Sequence, residues 1–207
     1  MELDNSVRKV LAEYGERMAA EDALRKQLPR QEWLERRDEF LLEVGEAVGT
    51  LMNVLAREAN ARTILEVGTS YGYSTLWLAD AARATNGTVI TLDLDARKQA
   101  YARRMLERAG LADYVVFRCG DALELIAGME ETVDFVLIDL WKDVYIPCFD
   151  RVLKKAAPGT LIIADNMIFP PDNQAIAKAY RAHVRIHPGV ESVLLPAGHG
   201  IEVTRLP

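Results

Sequence analysis

The chain has 207 residues, half of them hydrophobic and 27% charged, a balance that excludes disordered and fibrous proteins. Twenty-five Lys+Arg against 31 Asp+Glu leave a net charge of -6, which argues against nucleic acid or an anionic membrane as partner. The two cysteines, Cys119 and Cys148, make neither a disulfide framework nor a zinc cluster; they are expected to be buried, inert thiols in a reducing, cytoplasmic setting.

The opening MELDNSVRKVL lacks the basic start and apolar stretch of a signal peptide, and no apolar run approaches the length of a membrane span. Residues 5–27 read as a helix, with Val7, Val10, Leu11, Tyr14 and Met18 spaced for one face. Pro29 marks a break, and a second helical region runs from about Arg30 to Glu58, with an interruption expected near Gly45 or Gly49. Strand–helix alternation follows. Strands are expected at 63–67, 88–94, 114–118, 133–139 and 159–165, with helices at 74–84, 96–109, 122–127, 143–155 and 173–184 between and after them. Residues 190–195 and 200–206 close the chain as a hairpin turning at PAGH. Helical crossovers between short β-branched strands favour an α/β fold, a parallel sheet covered on both faces, with the final strands as an antiparallel edge. The expected organisation is one domain over 1–207, with residues 1–58 as a helical extension packed on it.

The residues able to carry chemistry gather at strand ends. The first strand runs into EVGTSYGYS, where Gly68 and Gly72 permit a tight turn or close approach by a ligand, and the following helix N-terminus favours a carboxylate or phosphate. The spacing is not the dinucleotide GxGxxG. Asp93, ending the second strand, can accept hydrogen bonds from ribose hydroxyls or cap a helix; Asp95 reads more simply as a cap. Asp121 and Ala122 follow the third strand, where backbone groups can meet a purine edge and Asp121 can equally cap a short helix. Asp139 ends the fourth strand, and Asp165-Asn166 the fifth. If the two strands are parallel neighbours, three oxygen ligands meet at the carboxyl edge of the sheet and suit a hard divalent cation; the same groups could instead be solvated or ion-paired. Trp141 fits either core packing or ring stacking. Lys142 fits either a solvated lysine or, beside a cation, a base. His183, His187 and His199 make no tight motif and read as local hydrogen-bonding residues.

With these residues in view, the sequence closely resembles the cation-dependent O-methyltransferases of the catechol and caffeoyl-CoA type, which use S-adenosyl-L-methionine. The resemblance rests on ILEVGTSYGYSTLWLA (64–79), VITLDLD (89–95), VLIDLWKDVY (136–145) and LIIADNMIFP (161–170), and with the terminal hairpin covers about 150 residues. It implies a Rossmann-like class I methyltransferase fold, a seven-stranded sheet ordered 3-2-1-4-5-7-6 with strand 7 antiparallel. It implies that Glu66, Gly68 and Ser70 line the cofactor turn, with Ser74 near the methionine carboxylate. Asp93 would hold ribose, Asp121 and Ala122 border adenine, and Trp141 stack nearby. Asp139, Asp165 and Asn166 match the metal ligands, Mg2+ first among candidates, and Lys142 matches the base, with Asp139 also beside the reaction.

Two stretches depart from the family. The segment MIFPPDNQAIAKAY lacks the tryptophan–glycine pattern of bacterial and plant relatives, and PAGHGIEVTRL replaces their usual ending, so that Glu202 reads as a hairpin residue. The implied activity is methyl transfer to a small aromatic substrate bearing vicinal hydroxyls. The surplus apolar positions of the N-terminal helices point to a homodimer joined through them. A non-catalytic S-adenosylmethionine-binding protein is the first alternative. A nicotinamide-dependent Rossmann enzyme is a weaker one, because GxGxxG is missing and Asp165-Asn166 is present.

Overall fold

The computed structural model describes residues 3–207. Seven strands form one sheet: β1 (Thr63–Val67), β2 (Thr88–Asp93), β3 (Val115–Cys119), β4 (Val133–Ile138), β5 (Ala156–Ala164), β6 (Glu191–Leu195) and β7 (Ile201–Arg205). Their order is β3-β2-β1-β4-β5-β7-β6. β1 to β5 pair in parallel, whereas β7 lies between β5 and β6 and runs antiparallel to both. This is the expected Rossmann-like α/β architecture, strand order included.

Strand alternation divides the core into two layers. Ile64, Val89, Phe135, Leu137 and Ile163 face one side. There they meet α3 (Glu46–Glu58), α4 (Tyr73–Thr85) and α5 (Ala96–Ala109). Leu65, Val67, Ile90, Leu92, Val136, Ile138 and Ile162 face the other side. They are covered by α6 (Ala122–Gly128), α7 (Tyr145–Val152) and α8 (Gln174–Arg185). The central strands are thus apolar on both faces, as a doubly covered parallel sheet requires.

The N-terminal helix α1 (Asn5–Arg25) buries Val7, Val10 and Tyr14. It is tied to the α4–α5 side by Ser6 Oγ donating to the Ala109 carbonyl at 3.0 Å and Tyr14 Oη donating to the Tyr71 carbonyl at 2.6 Å. The second helical region breaks earlier than its periodicity suggests. α2 (Arg30–Arg36) tightens into a single 3-10 turn, and the chain is then non-helical until Glu46. The Glu21 carboxylate of α1 accepts the Leu41 amide at 2.6 Å and ties this connection to the first helix. Gly45, at φ +81°, marks the re-entry into helix. Gly49 does not break α3: a Cβ there would lie 2.5 Å from Trp77 Nε1, so this glycine admits the indole. No helix among the described residues is long and apolar enough to cross a membrane.

Candidate active site

The β4–β5 register determines which carboxylates meet. Ile138 pairs with Ala164, and the Asp165 amide donates to the Ile138 carbonyl at 3.2 Å, so Asp139 and Asp165 leave neighbouring strands side by side. Both follow residues of the α7–α8 layer, so alternation turns them toward the opposite face. Asn166 takes a left-handed backbone at φ +54°, which turns the chain sharply just after the strand. Its side-chain Nδ2 donates to Asp165 Oδ2 at 3.2 Å. Asp165 Oδ1 is buried and has no hydrogen-bond partner among the described residues.

Lys142 reaches the same place from the β4–α7 connection. It is buried, and its Nζ donates to Asn166 Oδ1 at 3.1 Å and to Tyr145 Oη. Tyr145 Oη in turn donates to the Asp165 carbonyl at 3.3 Å. Burial pushes the Lys142 ammonium down to about 8, against the attraction of Asp139 and Asp165. Burial also raises the carboxyls of Asp139 and Asp165, and each is opposed by Lys142. Asp139 further raises Asp165, because two adjacent buried anions repel. The cluster thus has oxygen donors facing a place short of positive charge. An unpartnered buried carboxylate oxygen, a second carboxylate and an amide oxygen fit a hard divalent cation.

The loop that follows Asp165 and Asn166 rests on the C-terminal hairpin. The Met167 amide donates to the Gly200 carbonyl at 2.8 Å, and those of Ile168 and Phe169 to the His199 carbonyl at 2.9 Å. Phe169 stacks on the His199 ring at 5.4 Å, and Leu42, Trp141, Ile168 and Phe169 are all exposed. The Glu43 carboxyl is raised by burial and partly restored by His199.

The glycine turn is shaped first by the protein's own packing. Gly68 has φ +109°, and a Cβ there would overlap the Asp139 carbonyl oxygen and lie 2.9 Å from its carbon. Gly72 has φ +89°, and its Cβ would meet Ala102 Cβ at 2.5 Å. Glu66 is fully buried beneath the turn and accepts hydroxyl hydrogen bonds from Ser74, Thr75 and Thr91, each at 2.6 Å. Burial raises its carboxyl to about 7 despite these three donors. The Ser74 hydroxyl is therefore committed to Glu66, and what it leaves toward the mouth is its place in the first turn of α4.

Asp93 accepts the Ser70 amide at 2.7 Å and the Asp95 amide at 2.8 Å, which fixes its carboxylate at the end of β2. Asp95 caps α5 through the Arg97 amide at 2.8 Å, and Asp121 caps α6 through the Glu124 amide at 3.0 Å. Ala122 is the first residue of α6 and half-buried. Arg37, from the turn after α2, lies 4.4 Å over the Trp141 ring.

Cys119 does not match the expectation of a buried thiol. It ends β3 and is exposed, because β3 is the sheet's outer strand and has no neighbour beyond it; Cys148 is buried as expected. Sequence reasoning also passed over several residues around the cluster. Tyr145 sits inside a quoted motif, one helical turn after Lys142, and that spacing was the available signal. Phe169 likewise lies within the 161–170 motif, and His199 was read only as a local hydrogen-bonding residue, whereas Arg37 and Glu43 carried no signal because they reach the cluster only through tertiary contacts.

Residues 16–206 match the O-methyltransferase family model. The chain is 40% identical to a catechol O-methyltransferase of Niastella koreensis over 124 residues, 58% of this chain and 56% of that protein. It is 29% identical to caffeoyl-CoA O-methyltransferase 1 of Eucalyptus globulus over 177 residues, 76% of this chain and 72% of the other. The O-methyltransferase from Bacillus cereus, solved in complex with SAH, superposes with a TM-score of 0.77 at 28% identity, covering 100% of this chain and 93% of that one. The chain spans little more than half the length of the catechol-named relatives from Niastella koreensis and Mus musculus. With nearly its whole length matched by the family model and its fold shared with a solved member, the chain belongs to the O-methyltransferase family.

Proposed function

We propose that the protein transfers the methyl group of S-adenosyl-L-methionine to one hydroxyl of a small aromatic substrate bearing vicinal hydroxyls, with a divalent cation, Mg2+ first among candidates. The observation that carries this reading is the buried cluster in which Lys142 Nζ lies 3.1 Å from Asn166 Oδ1, beside the unpartnered Asp165 Oδ1. A buried lysine lowered by desolvation beside carboxylates suits a proton-accepting role, which donor binding alone does not call for.

Asp139, Asp165 and Asn166 would hold the cation, which would supply Lewis-acid stabilisation of the ionised hydroxyl. Lys142, eased toward its neutral form by burial, takes the proton of the reacting hydroxyl on Nζ. That oxygen then forms a bond to the methyl carbon as the carbon–sulfur bond breaks, leaving S-adenosylhomocysteine, a neutral thioether. Tyr145 orients Nζ from below through its hydroxyl. The methyl donor is already activated, so positioning supplies much of the rate.

On this reading Glu66, Gly68, Ser70 and Ser74 form the turn that receives the donor's methionine end. Asp93 retains free lone pairs for ribose hydroxyls. Asp121 and Ala122 border the adenine, and Trp141 stacks on it. The exposed Leu42, Ile168 and Phe169 supply the apolar rim for the acceptor ring. Residues 1–58 serve as an extension of a single domain. A homodimer through the N-terminal helices would cover Leu24 and Leu34, which are exposed on them.

The test is a methylation screen of catechols, caffeoyl-type esters and matched monophenols, with Mg2+, Mn2+, Ca2+ and EDTA arms. Turnover confined to vicinal diols and abolished by EDTA is the expected result. Full activity in excess EDTA defeats the cation-assisted reaction. Donor binding without turnover on any phenol favours the non-catalytic alternative.

A further inference from the structure

The face of the sheet that carries α7 and α8 holds a second gathering of ligand-type side chains, half-buried where these helices meet and made of residues other than Asp139, Asp165 and Asn166. Asp150 of α7, His183 of α8 and His187 just beyond it each offer one ligand atom, and the three atoms lie within 4.8 Å of one another. Among the described residues this is the one group of three or more His, Cys, Asp or Glu side chains so gathered. Sequence reasoning treated the histidines as unrelated. The missing partner was Asp150, 33 residues away from His183 in sequence and brought in by the packing of α7 on α8.

Local structure explains the convergence. His183 and His187 are four residues apart, and Ile186 between them keeps a helical backbone at φ -82° and ψ -12°, so His187 stands one turn above His183 on the same face. Their rings lie 5.4 Å apart, and both pack against Phe149, at 6.1 and 5.5 Å. Asp150 follows Phe149 in α7, and its Oδ1 lies 2.6 Å from His183 Nε2. This pair alone would be an ordinary surface hydrogen bond. His187 makes it more than that: its Nε2 is buried and has no hydrogen-bond partner among the described residues. A buried ring nitrogen left without a partner is costly unless something binds it.

We propose that Asp150, His183 and His187 form a second metal site, for a borderline divalent ion such as Zn2+ or Co2+, that clips α7 to α8. Two imidazoles and one carboxylate suit these ions, whereas Mg2+ is held by oxygen donors. Three protein ligands leave a further coordination position for water. The His183–Asp150 contact opens by several tenths of an ångström when an ion enters, because ligand atoms about 2.0–2.2 Å from a tetrahedral centre stand farther apart than a hydrogen bond of this length. The two helices so joined also carry the aromatic wedge under Lys142: Tyr180 of α8 packs edge-on against Tyr145 at 5.7 Å and Phe149 at 5.9 Å.

The site stands on its own residues and is independent of methyl transfer. The test uses the full chain in excess Mg2+, which competes for the oxygen cluster, followed by titration with Co2+. Visible absorption reports nitrogen-ligated Co2+, and thermal melting with Zn2+ is run alongside. The expected result is one saturable equivalent with tetrahedral-type bands, kept in Asp165→Asn. In His187→Ala and in the more conservative His187→Gln, affinity falls by more than the about 10–100-fold that loss of a supporting residue costs. Zn2+ should raise the melting temperature of the wild type and leave both His187 variants unmoved. Circular dichroism confirms that the variants are folded, and the Gln variant carries the test if the Ala variant is not. No saturable Co2+ binding in the wild type, or bands that survive His187→Gln or disappear in Asp165→Asn, overturns the proposal.

Discussion

Glu66→Gln isolates the cost of keeping a carboxylate under the glycine turn. In the folded protein burial raises this carboxyl from the usual 4.5 to about 7. In the unfolded chain nothing raises it. Below about pH 4.5 both states hold the proton, and Glu66 contributes no pH-dependent difference. As pH rises toward 7, the unfolded chain releases its proton while the native state keeps it, so stability declines until the folded carboxyl has ionised as well. The gap between 4.5 and about 7 corresponds to ~3 kcal/mol lost by the wild type across that window. Glutamine resembles the neutral acid and cannot ionise. Its Nε2 must be accepted by a hydroxyl of Ser74, Thr75 or Thr91, and those oxygens can turn to do so. That rearrangement is a constant offset and cancels when the two proteins are compared across pH. Urea unfolding followed by far-ultraviolet circular dichroism should therefore show Glu66→Gln gaining on the wild type by ~3 kcal/mol between about pH 4 and pH 8. Parallel stability–pH curves would mean that the three hydroxyl donors fully offset burial, and divergence in the wild type's favour would reverse the sign of the reasoning.

Lys142→Met keeps the buried stem and removes the base; kcat should fall about 10²–10⁴-fold while S-adenosylmethionine affinity, read by calorimetry, is unchanged. Asp165→Asn should weaken cation affinity at least about tenfold, measured as the Mg2+ concentration giving half-maximal turnover. The same variant should melt higher than the wild type in EDTA at pH 8, because a carboxyl raised by burial and by Asp139 destabilises the fold as it ionises. Gly68→Ala should cost ~3 kcal/mol or more in urea unfolding, combining a positive φ with overlap against the Asp139 carbonyl. Because the overlap pushes on the strand end that carries Asp139, its residual activity should fall further than Gly49→Ala, whose Cβ displaces only the Trp77 ring.

The sheet was legible because each central strand is a run of mostly apolar residues bounded by turn residues. The same pattern placed Asp93, Asp139 and Asp165 at carboxyl ends, where the apolar run gives way to a carboxylate, although Asp165 itself stays buried. What lay outside this pattern depended on distant contacts. The break after α2 is set by Glu21 receiving the Leu41 amide, which no local propensity announces. Gly49 looked like an interruption because glycine weakens helices in isolation, yet the Trp77 indole requires it there. Asp150 and the two histidines escaped notice for a similar reason: helix spacing relates His183 to His187, but the third partner comes from another helix. The expected strand order already put the third strand at the rim, so the exposure of Cys119 was readable from that order, and its reading as a buried thiol did not use it.

The position of β7 has a consequence for how the molecule comes into being. It fills the slot between β5 and β6, and residues 199–200 supply the carbonyls on which residues 167–169 rest. During synthesis, then, the first five strands can collapse while the loop after Asn166 still lacks its floor. A nascent or C-terminally clipped chain would hold a nearly finished sheet with an unfinished mouth.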